Sequence, residues 1–340
     1  MYCHSTTSCR PPLSVELAIE TIDIMTKCPT NKGKQFQHLF GMRKIAISAT
    51  ITPLLEDQSL DREGLANLLE RNIRHGLDGV FLLGSMGEWN SFDDDFKEEY
   101  VCAATEIVSG RMKVLAGINA TSLELSLQNL ERYRKYPVDA FVYMQPGKPC
   151  ERDPVESILT VLEASDRPVF YYYCPPNNGV TLTLDQFAKI MAHPRLAGIK
   201  NSASNMWLRR ELLLLKRERG FSTLLFEGQE WSVDEALLAG CDGMVCGMGA
   251  LASKAMVALA KAAERNDWAE AVRQQEWLIR IFHGIYGPDL STVWNGQKYA
   301  LMKLGLIKSP LTLAQEMSSL DDAAKARIDR FVEEHREELD

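Results

Sequence analysis

Short apolar runs alternate with amphipathic stretches of helical length along this chain from Lys44 onward. Residues 80–83 (VFLL) are typical of the runs, which have the character of strands buried on both faces of a parallel sheet. Residues 59–75 are typical of the amphipathic stretches, because leucines recur on one face and Gly76 follows as a stop signal. The alternation therefore predicts strands and helices in regular succession.

The pattern predicts eight strands, at 45–51, 80–83, 114–118, 140–144, 169–173, 196–200, 223–226 and 244–246. The helices that follow them are predicted at 59–75, 92–108, 122–136, 154–164, 184–192, 206–217, 233–239 and 253–265. Eight βα units with short connections over residues 42–265 favour an α/β fold of the (β/α)8 TIM barrel type. A doubly wound sheet is the alternative, but the Gly-x-Gly-x-x-Gly turn of a dinucleotide-binding fold is absent after the first strand.

Both ends of the chain are expected to lie outside this catalytic barrel. Further helices are predicted at 268–282, 297–304 and 321–338, which would give residues 266–340 the form of a small carboxy-terminal helical cap. Residues 1–41 are expected to be an amino-terminal extension, disordered except for a helix that 13–27 could form. They lack the apolar core of a secretory signal, and the acidic residues in 13–27 disfavour a mitochondrial transit peptide.

Composition and charge narrow the function classes. The chain is 46% hydrophobic and 25% charged, as in a soluble globular enzyme, and its apolar runs are too short to span a bilayer. A net charge of −8 argues against a nucleic-acid or anionic-membrane partner. The eight cysteines include no Cys-x-x-Cys pair, and the six histidines show no His-Glu-x-x-His pattern. We therefore expect reduced thiols, a cytoplasmic location, no metal site and no cofactor.

Lys200 is the first candidate for chemistry, because it ends the apolar run 196–200 (LAGIK). An ammonium at the end of a buried strand is costly to desolvate, so its pKa falls and the free amine becomes a usable nucleophile. The alternative is a lysine whose apolar stem follows the strand while its charge reaches solvent. In a barrel the chemistry lies at the carboxyl ends of the strands, and Lys200 would be at such an end.

Glycines surround the end of the second predicted strand, in Gly84-Ser85-Met86-Gly87-Glu88. Such a loop can turn sharply and offer backbone N–H groups to an anion such as a carboxylate, and Ser85 adds a hydroxyl. An ordinary glycine turn is the alternative.

The fifth predicted strand ends in three successive tyrosines, Tyr171, Tyr172 and Tyr173. Because alternate residues of a strand share a face, Tyr172 points away from the other two. If Tyr172 faces the barrel interior, its phenol can transfer a proton near Lys200. Aromatic packing against the helices is the alternative for at least one of the three.

Together these features resemble the dihydrodipicolinate synthase/N-acetylneuraminate lyase family. The resemblance rests on the loop 84–88, the 28-residue spacing between Tyr172 and Lys200, Gly198-Ile199-Lys200, Thr52-Pro53, and Gly240-Cys241-Asp242-Gly243 before the last strand. It covers about residues 43–310. It implies a (β/α)8 barrel, class I aldolase chemistry on a pyruvate-type 2-oxo acid without a cofactor, and a homo-oligomer, either a tetramer or a dimer.

The resemblance also implies a role for individual residues. Lys200 would form a Schiff base with the 2-oxo acid, and Tyr172 would carry protons to and from the reacting groups. Ser85 would hydrogen-bond Tyr172 and, with Gly84 and Met86 of the same loop, hold the substrate carboxylate.

The sequence departs from the family at the positions that contact the rest of the substrate. Met86 stands where the family usually has threonine. Gly147-Lys148 replaces a Tyr-Tyr pair in the synthase, in which a tyrosine completes a proton relay across a subunit interface. Asn177 stands where the synthase has an arginine for the aldehyde partner's carboxylate. These differences disfavour dihydrodipicolinate synthesis. Asn177, Asn178 and Lys148 could instead hydrogen-bond a neutral or polyhydroxylated tail, which favours a sugar-derived 2-oxo acid.

Three interpretations of the function remain open on the sequence. The first is a carbon–carbon lyase, and the second a dehydratase or deaminase that uses the same lysine imine. The third is a family member that binds or regulates without catalysis, which the intact pair of Lys200 and Tyr172 disfavours.

Overall fold

The structure is a computed structural model, and it describes residues 39–41, 43–147, 153–314 and 320–339. Eight parallel strands follow one another in chain order and close into a barrel, because the last strand pairs with the first. The predicted (β/α)8 barrel is therefore confirmed. The helix expected over 13–27 and the binding residue Lys148 lie outside the described residues.

The strands are β1 Ile45–Ala49, β2 Gly79–Leu82, β3 Lys113–Gly117, β4 Ala140–Tyr143, β5 Val169–Tyr173, β6 Leu196–Asn201, β7 Leu224–Glu227 and β8 Gly243–Cys246. The helices around the barrel are α1 Arg62–His75, α2 Asp94–Val108, α3 Leu123–Tyr133, α4 Pro154–Ala164, α5 Pro175–Asn178, α6 Leu184–Met191, α7 Met206–Arg219, α8 Val233–Ala239 and α9 Gly249–Glu264. After the barrel come α10 Trp268–Ile281, α11 Val293–Lys303, α12 Asp322–Glu334 and α13 Arg336–Leu339. Among the described helices, none is both long and apolar enough to cross a membrane.

Capping explains where several helices begin and end. The Asp61 side chain accepts a hydrogen bond from Gly64 N, so α1 begins at Arg62 and not at residue 59 as predicted. Gly76 closes α1 in the left-handed conformation, with φ of 85°. The last predicted helix, 321–338, is divided at His335, where the backbone leaves the helical conformation with φ of −123° and ψ of 23°.

Aromatic side chains fill the barrel interior. Phe81, Phe170, Tyr172 and Phe226 belong to one buried cluster there, while most other core residues lie between the strands and the helices. Phe40 also belongs to this interior cluster, with its ring centroid 6.4 Å from that of Phe170. The segment expected as an extension thus contributes Phe40 to the barrel interior, and Leu39 packs against the same cluster.

Gly198 makes room for this aromatic filling. A β-carbon at Gly198 would come within 2.6 Å of the Phe170 ring. Lys200 shares the inward face of β6 with Gly198, since the two are separated by one residue. The missing side chain at 198 therefore leaves the space in which Phe170 packs below Lys200.

Candidate active site

Lys200 lies in β6, near the carboxyl end of the strand, with its side chain turned into the barrel. The residue is only 6% exposed. Its Nζ is 4.1 Å from the centroid of the Tyr172 ring and 5.3 Å from that of Phe81. Lys200 and Tyr172 are also direct partners in the β5–β6 pairing, which gives their 28-residue spacing a structural basis. Because Lys200 is buried, the alternative interpretation, in which its charge reaches solvent, is wrong.

Burial sets the electrostatics of this amine. The loss of hydration lowers the pKa of Lys200 from its ordinary value, and the negative charge of Glu230 opposes this shift. Gly228 permits the close packing around the amine, because a β-carbon there would come within 3.0 Å of Lys200 Cε. A larger fraction of Lys200 is therefore the uncharged, nucleophilic amine at a given pH than in a solvated lysine.

Tyr172 faces the barrel interior, and its two neighbours do not. Tyr172 belongs to the interior cluster, whereas Tyr171 and Tyr173 pack outside the sheet, as the alternation predicts. Its Oη is 3.4 Å from Ser85 Oγ, a long contact between hydroxyls. Burial raises the pKa of Tyr172 far above its usual range, and Cys174 adds to this effect while Ser85 opposes it. Tyr172 is thus a protonated phenol at neutral pH and can act as a proton donor.

The loop after β2 is held in a strained conformation by its surroundings. Leu83 and Glu88, on either side of Gly84–Gly87, are non-glycine residues with left-handed φ values of 56° and 54°. Thr52 Oγ1 donates a hydrogen bond to Gly87 O at 2.8 Å, and Asn119 Nδ2 donates one to Leu83 O at 2.9 Å. These bonds place Ser85 beside Tyr172.

Asn177 and Met86 lie at the same end of the barrel. Asn177 Nδ2 donates a hydrogen bond to Ser85 Oγ at 2.9 Å, so Asn177, Ser85 and Tyr172 form a continuous chain of contacts. The Met86 side chain lies so close to Gly247 that a β-carbon at 247 would collide with it. Met86 thus forms an apolar wall on the β8 side of the site.

Asn178 serves the fold and is not free to bind a ligand. It is buried, donates a hydrogen bond to Gln145 O at 3.0 Å and accepts one from Val180 N at 3.0 Å. The structure therefore corrects the expectation that Asn178 would contact the substrate tail. The reason is that its amide nitrogen is bonded to Gln145 O and its amide oxygen to Val180 N.

Glu230, which follows β7, was missed at the level of sequence. Its Oε1 accepts a hydrogen bond from Gly247 N, and burial raises the pKa of its carboxyl while Lys200 opposes that rise. Glu230 thus adds a partly buried carboxyl to the same end of the barrel as Lys200 and Tyr172. A list of all polar residues after predicted strands would have included it.

Trp294, which α11 contributes, was also missed, and no local pattern indicates it. Its Nε1 donates a hydrogen bond to Ser85 O at 3.0 Å. Trp294 also lines a cavity of about 880 Å³ beside the loop, together with Trp89, Asn90, Asn177, Ser85 and Gln58 among others. The cavity is large enough for a small organic acid, and amides and indoles contribute to its walls. Within the described residues, no group of three or more His, Cys, Asp or Glu side chains is arranged to hold a metal ion.

Comparison with known protein families matches residues 42–335 to the dihydrodipicolinate synthetase family. The chain is 25% identical over 272 residues to 4-hydroxy-tetrahydrodipicolinate synthase of Gluconacetobacter diazotrophicus, covering 78% of this chain and 88% of that protein. It is 28% identical over 252 residues to the enzyme of that name from Xylella fastidiosa, covering 73% of this chain and 81% of the other.

Solved structures show the same architecture. Dihydrodipicolinate synthase from Bacteroides thetaiotaomicron superimposes with a TM-score of 0.80 at 27% identity, over 87% of this chain and 99% of that one. A prophage protein of the dihydrodipicolinic acid synthase family from E. coli K12, in complex with pyruvate, gives a TM-score of 0.77 at 22% identity, over 86% of this chain and 98% of that one. The second similarity supports the fold alone.

Burial of Lys200 predicts a gain of stability when its charge is removed. Lys200→Met should raise the midpoint of thermal unfolding at pH 7, because the folded state no longer holds a desolvated ammonium. The pKa of Lys200 is lower in the folded state than the ordinary 10.5, so wild-type stability rises with pH between those two values. The advantage of the variant should therefore shrink as pH approaches 10.5. Scanning calorimetry from pH 6 to 10 measures it, with the half-exposed Lys303→Met as a control that should show no gain. A loss of stability in Lys200→Met at every pH would contradict the prediction.

Proposed function

Because this chain belongs to the dihydrodipicolinate synthetase family and is a lyase of the aldolase type, we propose that it acts on a 2-oxo acid through an imine on Lys200. The observation that carries the proposal is the buried Lys200 amine, 4.1 Å from the ring of Tyr172. Tyr172 in turn contacts Ser85, so a nucleophile, a proton donor and a hydroxyl of the glycine loop lie together. Nucleophilic catalysis by an amine needs these groups and no cofactor.

The reaction begins with attack of Lys200 Nζ on C2 of the 2-oxo acid. Tyr172 protonates the resulting hydroxyl, which leaves as water and gives an iminium. The iminium accepts the electron pair of the C3–C4 bond when that bond breaks, while Tyr172 takes the proton from the C4 hydroxyl. The products are an aldehyde and an enamine, and protonation at C3 followed by hydrolysis releases pyruvate and the free amine.

The glycine loop holds the substrate carboxylate in this proposal. The N–H groups of Ser85 and Met86, with Gly84 before them, offer donors at the end of β2. The Ser85 hydroxyl is a further donor, already oriented by Asn177 at 2.9 Å. The carboxylate would thus fix C2 within reach of Lys200.

We further propose that the remainder of the substrate is uncharged, as in a sugar-derived 2-oxo acid. Asn177 replaces the arginine with which the synthase binds a second carboxylate, and Met86 replaces a hydroxyl with an apolar side chain. Gly147 also removes the tyrosine that the synthase uses at that position. Amide groups and indole faces suit hydroxyls and C–H surfaces better than a second acid. Dihydrodipicolinate synthesis is therefore not the reaction we propose.

Glu230 favours loss of water or ammonia as the second candidate reaction. Such an elimination must remove a proton from C3 of the imine and deliver one to the leaving group. Glu230 and Tyr172 could divide these steps, because both lie near Lys200 and burial raises the pKa of each. Carbon–carbon cleavage needs Tyr172 alone for its proton transfers.

The imine is tested by trapping it. Incubation with pyruvate and borohydride should give a reduced adduct on Lys200, which peptide mass spectrometry locates. Lys200→Met should form none, whereas Lys303→Met, which changes a half-exposed lysine, should form it fully. Absence of the Lys200 adduct in the wild-type protein would exclude the Schiff-base mechanism.

The substrate proposal is tested with a panel of 2-oxo acids. Release of pyruvate from 2-oxo-3-deoxy sugar acids should exceed the rate of dihydrodipicolinate formation from pyruvate and aspartate semialdehyde by at least about tenfold, a difference of roughly 1.4 kcal/mol in barrier. Asn177→Ala should raise the KM for the sugar acid more than it raises the KM for pyruvate, measured by exchange of the C3 protons of pyruvate with solvent. Faster dihydrodipicolinate formation than any sugar-acid cleavage would contradict the assignment.

A cytoplasmic homo-oligomer remains our proposal for the assembled protein. Large apolar side chains exposed on α7, α8 and the turn before α8 include Met206, Trp207, Trp231 and Leu238, which we call the apolar patch. Trp207 is 72% exposed. Exposure of so large an apolar side chain to water is unfavourable unless a partner covers it. A second copy of the chain, related by two-fold symmetry, would bury the patch against itself.

Disruption of the apolar patch should change the assembly state. Trp207→Glu should lower the mass measured by light scattering after size-exclusion chromatography, because a carboxylate would be desolvated in the interface. Leu125→Glu changes another exposed leucine, on α3, and should leave the mass unaltered. A wild-type mass equal to one chain, or an unchanged mass in Trp207→Glu, would show that the patch is not the interface.

A further inference from the structure

A fully buried ion pair lies at the end of the glycine loop. Glu88 is the last residue of that loop and Lys298 lies in α11, and both side chains are 0% exposed. Burial lowers the pKa of Lys298, while the charge of Glu88 raises it. Such a pair costs desolvation energy on both sides, so its presence is weak evidence for stability and calls for another explanation.

Both charges also hold the segment 311–314, which we call the C-terminal strap. Glu88 Oε2 accepts hydrogen bonds from Thr312 Oγ1 at 2.8 Å, Leu313 N at 2.6 Å and Ala314 N at 2.9 Å. Lys298 Nζ donates to Leu311 O at 2.7 Å. One carboxylate thus joins the glycine loop, α11 and the strap at a single point.

The strained backbone at Glu88 explains why such contacts are needed at this point of the loop. Glu88 itself has a left-handed φ of 54°, which a residue other than glycine adopts at a cost. Strain of this kind persists only where surrounding contacts determine the conformation. The side-chain bonds of Glu88 supply such contacts, and Trp294 on the same helix as Lys298 holds the loop at Ser85 O.

We propose that Glu88 and Lys298 are positioning residues that set the conformation of the glycine loop from the carboxy-terminal helices. The bonds of the pair go to each other and to the C-terminal strap, and not to Lys200 or Tyr172. It acts through Ser85 and Met86, whose placement beside Tyr172 and Lys200 depends on where Glu88 anchors the loop. The expected effect on binding of the 2-oxo acid carboxylate rests on the proposed function. The control of the loop conformation does not depend on that function.

Lys298→Met tests the proposal, because it leaves the Glu88 carboxylate without its counter-charge and removes one of the two contacts from α11 to the loop, the other being that of Trp294. Hydrogen–deuterium exchange should rise at least tenfold in peptides that cover residues 83–91. The pyruvate concentration that gives half-maximal borohydride trapping should rise about tenfold or more, while the amount trapped at saturation stays the same. A pair with a purely structural role would change neither value in the folded protein at 25 °C.

Matched variants separate positioning from stability. Lys303 lies on α11, as Lys298 does, and forms a half-exposed ion pair with Asp329 of α12 at 3.1 Å. Lys303→Met breaks this pair and should leave the exchange rate over 83–91 and the half-maximal pyruvate concentration as in the wild type. The double variant Glu88→Gln with Lys298→Met removes both charges and should recover thermal stability, yet keep the raised exchange and the weak pyruvate binding. Recovery of all three would overturn the proposal.

Trp294→Phe provides a test that spares the ion pair. It removes only the indole N–H that reaches Ser85 O at 3.0 Å, and should also raise exchange over 83–91. If Lys298→Met does not fold, this variant and the double variant decide the matter. Wild-type exchange rates over 83–91 in the variants that fold would overturn the proposal. Failure of the wild-type protein to trap pyruvate would instead count against the proposed function, while the exchange data would still decide the positioning role.

Discussion

The burial of one amine at the end of β6 is the constraint on which the rest of the site depends. Lys200 can be a nucleophile at neutral pH only if water is kept from its ammonium, and this requires close packing on every side. Gly198 and Gly228 supply that closeness by having no side chain, and the ring of Tyr172 covers Nζ at 4.1 Å. The barrel interior is therefore arranged around a group whose charge it disfavours. The stability lost in this way is the condition for reactivity.

The barrel and the helices after it have different tasks at this site. The strands bring Lys200 and Tyr172 together through direct pairing of β5 with β6, which is a property of the sheet alone. The glycine loop needs more, since its flanking residues Leu83 and Glu88 are strained. Thr52 and Asn119 hold it by hydrogen bonds, and α11 and the C-terminal strap, far away in the chain, add further contacts. The proposed catalytic centre on strands is thus combined with a loop that other elements restrain.

The cavity beside the glycine loop explains why the reaction type and the identity of the substrate depend on different residues. In the proposed reaction, chemistry at C2 needs Lys200 and Tyr172, and both side chains are packed tightly in the barrel interior. The cavity beyond them is lined by indoles and amides, with Asn177 already bonded to Ser85. Trp294 lies on α11 and Asn177 on the short helix α5 after β5, so these side chains can change without disturbing the packed barrel interior. Membership of the family therefore specifies the nucleophile more firmly than it specifies the substrate's distal end.

The sequence by itself determined the features that follow from local periodicity. Alternation of apolar runs and helical stretches gave the barrel, and strand alternation gave Tyr172 the face opposite Tyr171 and Tyr173, because both depend only on neighbouring residues. Which of the two faces points into the barrel was decided by the structure. Only the tertiary structure decided that Asn178 serves the fold, that Glu230 joins the site, and that Trp294 and Lys298 hold the glycine loop. The physical reason is that a buried polar group is defined by its partner, and most of these partners lie far away in the chain. No local pattern of residues contains that information.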